Sequence, residues 1–125
     1  MRPARSWRGQ LPRALALAGA LLVVVASASA MSLRELRALE LSDKKQGPIY
    51  VQYYLVGVLE GTLESQAQAV RAGARPLICV GGRRLDPHMA KPLFDAELLR
   101  NKDLYEADMP VQLVLFNALS TAYSC

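Results

Sequence analysis

From Ser32 to the last residue, apolar side chains recur at spacings of three and four, the period of an α-helix, and almost no segment alternates polar with apolar as a half-buried strand would. Four helical stretches follow. Ser32-Leu33-Arg34-Glu35 fits a capping box, in which Ser32 accepts from the Glu35 amide while Glu35 reaches back, so a first helix carrying Leu33, Leu36 and Leu39 is expected to about Asp43. Lys44-Lys45-Gln46-Gly47 breaks it. Pro48 suits the first turn of the next helix, where its missing N–H would have no partner, and Gly73 can close that helix after Arg71. Its first half, Ile49 to Leu59, is apolar on most sides, which predicts a central element covered by several others. Gly57 and Gly61 share one face of it. A glycine costs roughly 1 kcal/mol relative to alanine inside a helix, so the pair predicts another backbone packed closely there.

Ala74 to Leu85 reads as a loop, strand-like only at Leu77-Ile78-Cys79-Val80. Asp86-Pro87 opens a third helix with Asp as cap, and Pro92 is expected to bend or delay it. Met89, Leu93, Ala96 or Glu97, and Leu98-Leu99 form its expected buried stripe. Asp108-Met109-Pro110 repeats the capping pattern ahead of Val111, Leu115, Ala118, Leu119 and Ala122. The class predicted is all-α, a compact bundle of four to five helices with one disulfide.

The residues before Met31 do not belong to that bundle. Arg2 to Arg13 open the chain with positive charge, Ala14 to Val25 are apolar, and Ala28-Ser29-Ala30 offers small residues where a signal peptidase inspects them. The apolar run is short for a bilayer core of about 30 Å. The expectation is a cleaved secretory signal over residues 1–30, then one domain over residues 31–125 in the periplasm, with no stable membrane anchor. Fifteen Lys and Arg face eleven Asp and Glu in the whole chain, but Arg2, Arg5, Arg8 and Arg13 fall in the leader, leaving eleven of each sign. The basic pI of about 9.3 therefore gives no reason to expect nucleic acid as a partner.

Export also bears on the cysteines. In an oxidising compartment Cys79 and Cys125 read most economically as one disulfide, and closing such a loop is worth about 4 kcal/mol in the chain-entropy model. Two cysteines and one histidine are too few for a four-ligand zinc site, and no metal or cofactor is expected. Catalytic chemistry is equally poorly provided for. His88 opens a helix, where a side chain usually faces solvent; Gly81-Gly82 lacks the remainder of a phosphate loop; no serine occupies a nucleophile elbow. Glu60, alone in an apolar stretch, is expected at the helix surface or paired with Arg83 or Arg84. No catalytic residue is assigned.

Tyr54-Leu55-Val56-Gly57-Val58-Leu59-Glu60-Gly61, then Pro76-Leu77-Ile78-Cys79, then Pro110, Ala118-Leu119 and a terminal Tyr123-Ser124-Cys125 together resemble the Rap/Tai family, over about residues 33–125. The resemblance rests on order and spacing, with Tyr54, Gly57, Val58, Glu60 and Gly61 as its motif helix. Leu39 and Val51 stand about where many relatives carry a second cysteine pair, and Ser124 replaces their penultimate proline. Members of this family are immunity proteins that block peptidoglycan amidases delivered by type VI secretion, often as homodimers. The resemblance thus implies a non-enzymatic periplasmic inhibitor whose partner is a protein, a cell-wall amidase toxin. Arg83-Arg84 and the loop residues Asp103, Tyr105, Glu106 and Asp108, with Leu104 among them, are the expected contact anchors. The alternatives are an acid-stress chaperone of HdeA-like type, opening as carboxylates protonate, or an envelope protein of other role.

Overall fold

The computed structural model describes residues 30–125; the expected leader therefore lies, but for Ala30, outside the described residues. Among the described residues there are four α-helices: α1, Leu33–Leu41; α2, Gln46–Arg71; α3, Ala90–Arg100; and α4, Val111–Ala122. α1 packs on α2, α3 packs on α4, and α2 also touches α3 and α4. One buried cluster fills the centre, drawing Leu33 and Leu36 from α1, Val51, Leu55 and Leu59 from α2, Ala90 and Phe94 from α3, and Ile78 from a loop. The remainder, Val111, Val114, Leu115, Ala118 and Leu119, comes from α4.

The central element is therefore α4, not the long second helix. α2 buries a stripe of spacing four and leaves Ile49, Tyr50 and Tyr53 exposed, because α1, the α3–α4 pair and the turn before α3 cover one side of it. Gly57 and Gly61 also depart from expectation: a Cβ built on either would meet nothing within 4 Å. The close backbone approach falls instead at Gly47, buried against the end of α1, where a Cβ would run into the carbonyl of Glu40.

The helix ends explain the boundaries. The Ser32–Glu35 capping box forms, with Ser32 N–H donating to Glu35 Oε2 at 2.7 Å and Glu35 N–H to Ser32 Oγ at 3.3 Å. Before α2, Asp43 Oδ1 accepts from the Lys45 and Gln46 amides at 2.8 and 2.7 Å. Gly73, at φ 99°, ends it in the left-handed conformation a side chain would resist. Asp86 caps a single 3₁₀ turn, Pro87–Met89, by accepting from the His88 amide. The α-helix starts only at Ala90, so Pro92 falls in the first turn, where no intrahelical N–H is required. That delay shifts the buried stripe of α3 to Ala90, Phe94 and Glu97, and Leu99 is left 76% exposed. α4 has no side-chain cap at all. Asp108 points away, paired at the surface with Arg34, and the Val111 amide donates to the Met31 carbonyl at 2.9 Å. In return the Leu33 and Arg34 amides of α1 donate to Met109 and Ala107. The two helix N-termini thus lend each other backbone carbonyls, in addition to the side-chain cap of α1.

The loop between α2 and the 3₁₀ turn is held on both sides. The disulfide Cys79–Cys125 joins it to the end of α4 across 46 residues of chain. An isolated bridge pairs Ile78 with Ser124, and the Cys79 amide donates to the Tyr123 carbonyl at 2.7 Å. The strand-like stretch is this bridge and no more.

Candidate functional site

Because α2 is longer than the elements that cover it, one of its faces stays open. That face floors a groove of about 790 Å³. Tyr54, Gly57, Val58 and Gly61 line its first half, and Ser65 and Ala69 continue it toward the C-terminus of the helix. Gln112 and Phe116 of α4 form one wall, and Arg75 and Leu77 form the far end. Four of the five motif residues of the sequence therefore lie together on it, and the fifth, Glu60, is exposed on the same helix beside Gly61. Two large apolar rims face solvent: Tyr53 at 73% exposure and Leu77 at 59%.

The walls keep their shape through amide side chains. Gln66 accepts from the Leu77 and Ile78 amides through Oε1, at 3.0 and 2.7 Å, and donates to the Ile78 carbonyl through Nε2 at 2.6 Å. It behaves as a piece of strand backbone and fixes the far end of the groove to α2. Across the groove, Gln112 Nε2 donates to the Tyr54 hydroxyl at 3.2 Å, but Gln112 Oε1 is buried and accepts from nothing. An orphaned buried acceptor costs about 1–3 kcal/mol.

The expected anchors lie elsewhere and do not converge. Arg83 and Arg84 are exposed after the Gly81-Gly82 turn, on the loop tied to the end of α4. Asp103, Leu104 and Glu106 are exposed on the loop that leads into the start of α4. Tyr105 is half-buried and committed: its hydroxyl donates to Glu97 Oε1 at 2.7 Å and accepts from Asn117 Nδ2 at 2.9 Å. Asp108 forms its ion pair with Arg34 in water, where such a pair contributes little. Glu60 has no ion pair among the described residues; His88 Nδ1 sits 3.0 Å from Asp86 Oδ1, both exposed.

Glu97 is the one buried charged side chain of the described residues, at 2% exposure. Burial works against its charge, but donors from Tyr105, Arg100 and Asn101, together with the Arg100 cation, outweigh that and hold its carboxyl below the ordinary glutamate value. Its oxygens accept from Arg100 Nη2 at 2.7 Å and Asn101 Nδ2 at 2.9 Å besides Tyr105. Burial and then the Glu97 bond push the Tyr105 phenol up. This cluster anchors the loop of residues 101–110 to α3 and α4.

Among the described residues no group of three His, Cys, Asp or Glu is placed to hold a metal ion, and no helix is long and apolar enough to cross a membrane. No family model, curated protein or solved structure matches the chain.

Proposed function

We propose that this chain is an exported immunity-type protein of the Rap/Tai kind, which binds a peptidoglycan amidase effector of type VI secretion and inhibits it without catalysing a reaction. One observation carries the reading. Four residues of the motif on which the resemblance rests, Tyr54, Gly57, Val58 and Gly61, line an open groove of a disulfide-stapled bundle, while Leu55 and Leu59 between them turn into its core. A face built of two glycines, aromatic rings and amide groups is suited to recognition, since it offers shape and hydrogen bonds. The leader pattern and the Cys79–Cys125 disulfide agree with an oxidising compartment outside the cytoplasm.

The test is protection. Cells that export a type VI amidase into their own periplasm should survive when this chain is co-exported, and a pull-down from the envelope should recover the hydrolase. Loss of protection together with no recovered hydrolase overturns the proposal. Intact-mass analysis of the exported chain checks the leader: a start at Met31 is expected, and retention of residues 1–30 would contradict cleavage.

The acid-stress chaperone remains the second reading because of Glu97, whose protonation would loosen the loop it anchors. A dye-binding titration from pH 7 to pH 2 separates the two: a chaperone exposes apolar surface reversibly, and an inhibitor has no need to.

A further inference from the structure

The groove has a length, a floor and two charged borders, and together these define an occupant. From Tyr53 to Ala69 the floor runs sixteen residues along α2, or about 24 Å at 1.5 Å per residue, which is the length of about four turns of a second helix. It is open to solvent along that length, as a polymer requires and an enclosed small-molecule pocket is not. At Gly57 and Gly61 no side chain stands between α2 and whatever lies above it, so another backbone can approach there.

Charge selects among helices. Tyr53, Gly57, Glu60 and Glu64 follow one another at spacings of four, three and four, so two acids border the outer edge of the floor. Glu64 is engaged only by exposed Arg71 and Gln68, and Glu60 has no ion pair among the described residues. Arg75, at the far end, likewise has no acidic partner among them.

We infer that the groove is the docking site for an amphipathic helix of a partner protein. That helix presents small and apolar residues to Gly57 and Gly61, lysine or arginine along the Glu60–Glu64 edge, and a carboxylate toward Arg75. This rests on the proposal that the chain acts by binding a protein, and it names the contact face. A second copy of the chain fits less well. Antiparallel pairing of two α2 helices would set the Glu60–Glu64 edge against its own copy, acid against acid.

The experiment is site-specific photo-crosslinking of the full exported chain in cells. A benzophenone-bearing phenylalanine replaces either Tyr53, at the rim of the groove, or Leu104, on the loop of residues 101–110, and cross-linked peptides are identified by mass spectrometry. Position 53 is expected to capture a helical segment of another protein with the charges described. Gly61→Trp, which fills open space, should cut that yield by about tenfold or more, as loss of a central contact does, with the helical circular dichroism unchanged. Arg75→Glu should lower it as well. Capture of an amidase at position 53 supports both proposals. Capture there of a different protein with such a helix keeps the groove and removes the amidase. Capture of an amidase at position 104 and not 53 keeps the amidase and removes the groove. Capture of another copy of this chain at position 53, an undiminished yield in Gly61→Trp, or no product at either position overturns the groove as a docking site for a partner's helix.

Discussion

Glu97 shows how much one side chain can organise when burial and satisfaction coincide. Its depressed pKa means that the folded state binds its proton more weakly than the unfolded chain does. The stability it supplies is therefore present above the ordinary carboxylate range and lost as pH falls through the folded value. Urea midpoints measured from pH 7 to pH 2 should decline on the acid side, and Glu97→Gln should flatten that decline while costing about 1.5–3 kcal/mol at neutral pH, the worth of hydrogen bonds to a charged group. Tyr105 works at the opposite end of the scale: its raised pKa means stability present below the ordinary phenol value and lost as pH rises through the folded one. Little of this was legible beforehand. Glu97 stood in the expected stripe only as an alternative to Ala96, and nothing in its neighbourhood distinguished it from an acid turned to water. Its donors lie three, four and eight residues on, and the last of them depends on a loop folding back. Gln66 gave no signal of any kind, since an amide in a polar helical run looks the same whether or not it reaches a loop eleven residues away.

Among the elements, α2 separates what periodicity can and cannot say. Its start beside Pro48 and its end before Gly73 were readable, because both residues restrict the backbone locally. The surplus of apolar residues between Ile49 and Leu59 is readable too, but it predicts burial on all sides, and Ile49, Tyr50 and Tyr53 are exposed. A helix turns the same face to a core as to a groove, and only the lengths and placing of α1, α3 and α4 decide which. The glycines make the distinction measurable. Gly57→Ala and Gly61→Ala should each stabilise the domain by about 0.5–1 kcal/mol, since the helix gains an alanine and nothing is displaced. Gly47→Ala should lower the melting temperature sharply, because its Cβ needs space already held by the Glu40 carbonyl. Thermal melts of the three variants would check this; equal shifts would mean that the crossing of α1 and α2 is not as tight as described. The stripe of α3 failed by one position for a related reason: Asp86-Pro87 does start a turn, but of 3₁₀ form, and Pro92 delays the α-helix past it.

At the scale of the whole fold, a core of thirteen apolar side chains among the described residues is modest, and the disulfide compensates. A loop closed over 46 residues contributes about 4 kcal/mol by restricting the unfolded chain. Reduction, or Cys79→Ala with Cys125→Ala, should therefore lower the urea midpoint markedly, and the far end of the groove should loosen first. Hydrogen exchange at the Leu77 and Ile78 amides would report that, because both donate to Gln66 from the loop that the disulfide ties to the end of α4. The bundle and its staple followed from sequence pattern and cysteine arithmetic. The groove did not, since it is made by residues as distant as Tyr54 and Gln112.

The carbonyl of Met31 completes the start of α4, while the Ser32 hydroxyl and the Glu35 carboxylate complete the start of α1. Met31 and Ser32 thus serve as a clasp between the starts of α1 and α4, and a protease trimming up to them has no slack to consume. Trimming that stops at Met31 leaves both helices closed; trimming to Leu33 opens both at once. A chain shortened by those two residues should melt several degrees lower, with α1 the first part to exchange its amides.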